Sequence, residues 1–484
     1  MGCTCIGMAD LSLTGNNMTK PLPNHTDVYD VVVVGGGVVG CAMVRRFTLE
    51  GARVLLLEKS SDILSGASKG NSAILHTGFD APRDSLELRC MQDGYQEYLD
   101  IHSKMNLPML KAGAMVVAWS EEDLSKLQGI VKQAHDNGVA DVKVIDRARV
   151  RALEPHLANH ALGAAEVPGE FLIDPWSAPL GYLQQAMMLG SKTQFNAEVF
   201  GGQFDGSTWR LETSQGVFLT RTVINCAGLF GDILEEKLLG ESSFSIHPRK
   251  GQFVVFDKAA SRYLSNIVLP VPNERTKGIV LTKTVYGNLL VGPTAEEQDD
   301  RIYARLDSET LGQLVDAAVE RIPALEGMPV TATYAALRPA SEKKEYRVRK
   351  VDGKNWITVG GIRSTGLTAA LGIAKYVFSL YDFEHIAPTN MMWPTMPNLA
   401  EHLPRDYQNP GYEEIVCHCE MVTLREIKAA LKSPLPPGDI GGLKRRTRAC
   451  MGRCQGFYCG ARVAELSAGH LAIPLATGVC HESH

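Results

Sequence analysis

The chain has no long apolar run. A membrane-spanning helix needs about 18 or more consecutive apolar residues, and the best candidate, 31–44, is broken by glycines. No spanning segment is predicted. Charge of one sign is also missing: 49 Lys and Arg stand against 54 Asp and Glu, a formal net charge of −5. That balance leaves no electrostatic footprint for nucleic acid. Residues 1–27 lack the apolar stretch of a secretory leader, and Ile6 stands where a myristoylation signal wants Ser or Thr. They read as a disordered extension in which Cys3 and Cys5 are incidental and Met18 is an alternative start. The 11 cysteines lack the spread of a disulfide framework, because five of them lie between Cys417 and Cys459. Such clustering in an enzyme-sized chain points to a metal site in a reducing, cytoplasmic setting. What remains is an ordinary globular composition, 45% hydrophobic and 21% charged over 484 residues, enough for two or three domains.

The stretch 30–58 organises the rest. Val31 to Val34 form a β-branched run suited to a buried strand. Gly35, Gly37 and Gly40 follow at G-x-G-x-x-G spacing, before the helical stretch that opens with Val38 and Val39. Glycine serves a tight turn, close approach of a pyrophosphate and close helix packing. The helix then offers free N–H groups and its positive dipole end to phosphate. A second apolar strand, 54–57, ends in Glu58, an acceptor suited to ribose hydroxyls, with Lys59 beside it. The whole context predicts dinucleotide binding, with FAD or NAD favoured over NADP because Glu58 repels a 2′-phosphate.

A small-residue loop follows, with Ser68, Asn71 and Ser72 as cofactor-side candidates and His76 at its end. His76 has an ordinary pKa near working pH, which makes it the first candidate base; the alternative is a hydrogen-bonded histidine lining the pocket. A helix is predicted over 84–98. The segment 70–78, followed by 85–88, is similar to L-2-hydroxyglutarate dehydrogenases, within the wider D-amino-acid oxidase superfamily of flavin enzymes. The resemblance runs over about 28–386 and implies FAD in the glycine turn. It also implies a discontinuous FAD domain interleaved with a substrate domain.

Further along, 113–119 reads as a strand, 121–137 as a helix, 142–145 as a strand and 146–155 as a short helix. Arg147, Arg149 and Arg151 on that helix read as a solvated face. A helix opens at Asp174-Pro175. Residues 195–199 read as a returning strand carrying Val199, and 209–220 as a hairpin. The buried strand from Val223 ends in Cys226-Ala227-Gly228. The resemblance makes Ala227 and Gly228 a second flavin contact, while Cys226 reads as a small core residue. Strands are predicted at 247–256, 278–284 and 288–293, and a helix at 306–322. In the family, the Lys250-Gly251-Gln252 turn lies near the flavin, so Lys250 is a candidate for holding an anion. Arg338 precedes Pro339, where the superfamily places an arginine that binds substrate carboxylate or phosphate. A planar fork of donors matches a planar anion. The alternative for Arg338 is an ion pair with Glu342 or Glu345. A last strand–glycine-turn–helix unit, 356–381, resembles the family's C-terminal flavin segment and contributes Gly361, Ser364, Gly366 and Leu367.

Residues 387–412 are proline-rich and read as a linker. Beyond them, Thr423 and Glu426 form a capping box. A [2Fe-2S] cluster needs four thiolates converging from short loops, and Cys417, Cys419, Cys454 and Cys459 supply them. Four cysteines also suit structural zinc. The region resembles the bacterioferritin-associated ferredoxin-like domain, in the version fused to the large subunit of anaerobic glycerol-3-phosphate dehydrogenase. Cys450 stands where that pattern has glycine, leaving Cys450 and Cys454 as a rival pair. The basic run 444–448 reads as a stabiliser of cluster charge or a docking site, and His418, His481 and His484 as exposed side chains.

These observations predict an α/β chain. A Rossmann-type FAD domain is interleaved with an antiparallel-sheet α+β substrate domain (28–386, the substrate part mainly 96–170 and 245–345). A small, mainly helical [2Fe-2S] domain occupies 413–470, with a tail from 471 to 484. The implied activity is an FAD-dependent dehydrogenase. A hydride passes from a small anionic hydroxy compound, glycerol 3-phosphate or a 2-hydroxy acid, to flavin. Electrons then leave singly through the cluster to an acceptor protein or partner subunit, through which the chain associates with a membrane periphery if at all. Alternatives are an amino- or imino-acid dehydrogenase subunit and a non-catalytic electron-transfer subunit.

Overall fold

The computed structural model describes residues 24–272 and 278–475. The calls on Cys3, Cys5, Met18, His481 and His484 fall outside them. Two large sheets carry the chain. In the first, the parallel strands run Lys192–Gln194, Val54–Leu57, Asn24–Val34, Gly216–Asn225 and Trp356–Gly360. Val31, Val32 and Val33 are fully buried at its centre, as expected for a parallel strand covered on both faces. Helix Val38–Leu49 packs on one face with Gly366–Phe378 and Leu86–Ile101. The opening strand begins at Asn24, so 24–27 do not belong to a disordered extension. Asp27 there is ion-paired with Arg53.

Among the described residues the second sheet has nine strands. Its longest pairing is antiparallel, Ile246–Phe256 against Val330–Ser341, with Arg249 opposite Arg338, Gly251 opposite Ala336 and Phe253 opposite Tyr334. That register decides which side chains face the first sheet. The second sheet reaches the loop 65–72 that follows the first sheet's strand Val54–Leu57, where Tyr334 donates its hydroxyl to the Asn71 carbonyl, 2.9 Å away.

One strand departs from the expected boundaries. Residues 195–198 are not strand; the returning parallel strand is Lys192–Gln194, and Val199–Phe204 is a separate antiparallel strand. Asn196 breaks the run with φ +54°, a conformation Asn tolerates better than most residues. The proline-rich stretch 387–412 has no long element, yet Met396, Leu399, Ala400 and Arg405 are buried. It is a packed strap rather than a free tether.

The C-terminal module holds a short hairpin and the helices Leu424–Leu431, Ile440–Thr447 and Gly460–Ser467. The capping box of Thr423 and Glu426 forms. The basic run is not an outward docking face. Arg446 makes a bidentate pair with the buried Asp62 (2.6 and 2.9 Å), and Arg445 donates to the Ile63 carbonyl. Arg448 is buried against Glu420 and lies 3.9 Å from the Tyr286 ring centre. These arginines hold the module to the two larger parts. No helix among the described residues is long and apolar enough to cross a membrane.

Candidate functional site

A cavity of about 870 Å³ opens between the glycine turn, the loop 65–72, the strand end 226–228, the strand 335–339 and the turn 359–367. Its size suits a cofactor together with a small substrate. Gly35 has φ +109°, and a Cβ there would stand 2.4 Å from the Cys226 carbonyl oxygen; one on Gly40 would stand 1.9 Å from that of Gly35. Only glycine fits either position. The adjoining helix begins at Gly37 with no side-chain cap on its first turn, although the Val38 amide donates to Ser68 Oγ at 3.0 Å. Helix Gly366–Phe378 likewise lacks a side-chain cap, because Thr365 spends its hydroxyl on Glu87 and Tyr346. Two helix ends therefore present N–H groups at the same cavity, as anion binding requires.

Glu58 is fixed by the Gly36 amide at 2.6 Å and the Ser60 amide at 2.8 Å. Every cofactor-side candidate except Gly40 lines the cavity; Gly40 acts one layer behind, by packing. Lys59 Nζ lies 3.4 Å from the Phe230 ring centre, and burial lowers its pKa. This cradle of bare backbone, uncapped helix ends and a preset ribose acceptor fits FAD.

The three substrate-side candidates part company. Arg338 reaches the cavity. Burial, followed by the neighbouring Arg249 charge, pulls its pKa down to about 10. Its guanidinium donates to the carbonyls of Lys250 and Thr294. Among the described residues it has no ion pair, and Glu342 and Glu345 pair with Arg347 instead. Lys250 is a correction. Side chains alternate along a strand, and Gly251 and Phe253 take the cavity side, so Lys250 points to the other face. It pairs there with Glu296 at 2.9 Å and the Arg305 carbonyl at 3.1 Å.

His76 is not in the cavity wall either. Its amide donates to Thr368 Oγ1 at 3.0 Å, one residue beyond the wall residue Leu367, and its Nδ1 lies 2.7 Å from Glu170 Oε2. Glu170 is fully buried and also accepts from the Thr77 amide and hydroxyl. Sequence reasoning missed Glu170, which lies 94 residues from His76. It also missed Arg301, which lines the cavity and grips Asp232 with both guanidinium nitrogens, at 2.5 and 2.9 Å. Neither residue carries a local signal.

The C-terminal thiols come together as expected, with one addition. Cys417 contacts Cys459, and Cys419 contacts Cys454. The Cys450 and Cys459 sulfurs are 3.5 Å apart. Amides of Tyr458, Gly456 and Phe457 point at the Cys454 sulfur; Tyr458 leads, and the thiol is held below its ordinary pKa. Among the described residues no three Cys, His, Asp or Glu side chains converge on one metal position. Thiols grouped two and two, with amides donating to sulfur, fit a two-iron cluster, in which each iron takes two thiolates. Cys450 has φ +62°, the left-handed region where glycine is the usual occupant. Phe457 and Tyr458, between two of the thiols, are 83% and 79% exposed.

Sequence comparison agrees with both halves. The signature described as FAD dependent oxidoreductase matches residues 30–380, and that described as BFD-like [2Fe-2S] binding domain matches residues 415–468. The chain is 28% identical over 459 residues to the glycerol 3-phosphate dehydrogenase of Caloramator mitchellensis, covering 93% of this chain and 95% of that protein. It is 26% identical over 272 residues to the L-2-hydroxyglutarate dehydrogenase of Indibacter alkaliphilus, covering 55% and 68%. Among solved structures, the dithionite-reduced L-alpha-glycerophosphate oxidase from Mycoplasma pneumoniae with FAD bound matches with a TM-score of 0.70. The identity is 24%, over 75% of this chain and 97% of that one; this likeness bears on the fold.

Proposed function

The chain belongs to the FAD dependent oxidoreductase family, and from that premise we propose a dehydrogenase for a small anionic hydroxy compound, with glycerol 3-phosphate first and a 2-hydroxy acid second. When bound, FAD supplies a hydride acceptor and the [2Fe-2S] cluster a one-electron outlet. The observation that carries the substrate class is Arg338, a half-buried cation at the cavity that has no ion pair among the described residues. Such a charge is costly unless an anion completes it. Glycerol 3-phosphate takes precedence because the dehydrogenase of that name aligns over 93% of this chain, the 2-hydroxyglutarate enzyme over 55%.

In this reading Arg338 grips the phosphate or carboxylate and fixes the reacting carbon in position. Glu170 orients His76 through Nδ1, and His76 is the proposed base for the hydroxyl proton from its place just behind the cavity wall. The glycine turn, Glu58 and the two helix ends hold the dinucleotide. Cys417, Cys419, Cys454 and Cys459 hold the cluster, and the exposed pair Phe457 and Tyr458 faces an electron-acceptor protein.

Anaerobic mixing with glycerol 3-phosphate, 2-hydroxyglutarate and a set of amino and imino acids tests the reading. Bleaching of the flavin bands by glycerol 3-phosphate at micromolar to millimolar concentration supports it. Bleaching by an amino acid alone overturns the substrate class, and no bleaching by any compound favours a relay subunit.

A further inference from the structure

We propose that Cys450 is a second ligand for the iron served by Cys459, so that this chain can close its cluster with either of two thiols. The inference rests on the cluster reading above and adds to it a fifth sulfur. The two Sγ atoms are 3.5 Å apart, in contact, so both thiols stand beside the same iron position. Both are buried, with 6% and 2% of their surfaces exposed, beside Cys417 at 1%. Cys419 and Cys454, which form the other pair, are only partly buried.

The backbone at position 450 is tied to the same group. Its amide donates to the sulfurs of both Cys417 and Cys459. Room for the extra side chain comes from Gly456, where a Cβ would stand 3.3 Å from Cys450 Sγ. A glycine would satisfy the +62° backbone angle with less strain. The thiol packs in the module's apolar core, and unlike a glycine it also offers a sulfur that can bind metal.

The exchange is balanced. A bond forms between Cys450 sulfur and iron as the bond between Cys459 sulfur and iron breaks. The proton leaving the Cys450 thiol is taken up by Cys459. One thiolate replaces another, and neither the charge nor the electron count of the cluster changes.

The test uses the full chain reconstituted anaerobically with iron and sulfide. It compares the parent with Cys450→Gly, Cys459→Ser, the double variant and Cys454→Ser. Cys450→Gly relieves the left-handed backbone, so a folding defect is not expected, and bound flavin absorbance reports integrity in each case. The readouts are iron content, visible absorption beyond the flavin bands and the electron paramagnetic resonance of the dithionite-reduced protein. The parent should hold about two irons. Cys450→Gly and Cys459→Ser should each keep more than half of that, the latter with a shifted resonance, while the double variant and Cys454→Ser should fall about tenfold. Loss in Cys459→Ser as complete as in the double variant overturns the proposal, and so does retention of iron by the double variant. A parent that takes up no iron fails the cluster reading itself, a distinct result.

Discussion

Truncating Asp62 tests how the cluster module is fastened. Its carboxylate is fully buried and meets Arg446, whose side chain is 6% exposed, through two hydrogen bonds of 2.6 and 2.9 Å. Asp62 also accepts from the amides of Ile63 and Gly438. In Asp62→Ala the guanidinium keeps only the carbonyls of Leu435 and Gly442, which leaves a buried charge without compensation. Breaking such a pair from one side costs about 3–5 kcal/mol. If helix Ile440–Thr447 exchanges its amide hydrogens by opening of the module, exchange there should accelerate about 10²–10⁴-fold, while the parallel sheet stays protected. Added salt should change this little, because buried pairs are poorly screened. Asp62→Ala combined with Arg446→Met removes both charges and should recover most of the loss. Exchange within about tenfold of the parent in the single variant, with flavin retained, would refute the assignment of this pair as the fastening.

Three further outcomes are expected. Arg338→Ala removes one or two hydrogen bonds to a charged group, each worth about 1.5–3 kcal/mol; kcat/KM for the anionic substrate should fall at least about tenfold while bound FAD is unchanged, and Arg338→Lys should recover only part. His76→Ala should slow substrate-driven flavin bleaching about 10²–10⁴-fold, and Glu170→Gln should slow it less. The double variant should be no slower than His76→Ala, since Glu170 acts through the imidazole; independent, multiplying effects would separate the two. Burial raises the Asp232 pKa, but hydrogen bonds from Arg301 and the Ile246 amide outweigh it and hold the carboxyl low. The contribution of a depressed carboxyl is present above its unfolded pKa near 3.9 and disappears as pH falls through the folded value. Pepsin should therefore cut segment 299–305 faster in Asp232→Asn than in the parent at pH about 4.5, the difference shrinking as the pH is lowered further. The effect should be modest because Arg301 is partly exposed.

Legibility in the sequence followed the range of the physics. The Val31–Val34 run, the glycine spacing and the Thr423–Glu426 capping box depend on neighbours a few residues away, and all three can be read directly. The thiols could be read because C-x-C spacing is itself a ligand geometry. Arg338 could be placed beside a pocket only through the family resemblance at Arg338-Pro339. Lys250 could not, since the face it takes depends on strand register against residues near 337. A one-residue slip would reverse the outcome. The strand expected at 195–199 failed at Asn196, where a left-handed residue ended the ladder early.

The longest-range contacts carry the functional arrangement. Asp62 and Arg446 are 384 residues apart, and Arg453, next to Cys454, reaches across to Asp257, just past the strand Ile246–Phe256 of the second sheet, at 2.8 Å. A charge run in isolation reads as a solvated face or a partner site. Here Arg445, Arg446 and Arg448 are turned inward, each onto an acceptor that only the assembled fold provides. Asp62 lies four residues past Glu58, and Ser65 just beyond it lines the cofactor cavity. The segment that closes the dinucleotide cradle is thus the same one that carries the thiol module. A dehydrogenase that passes electrons from a flavin to a cluster gains from this economy, because one segment fixes the distance between the cradle and the thiol module.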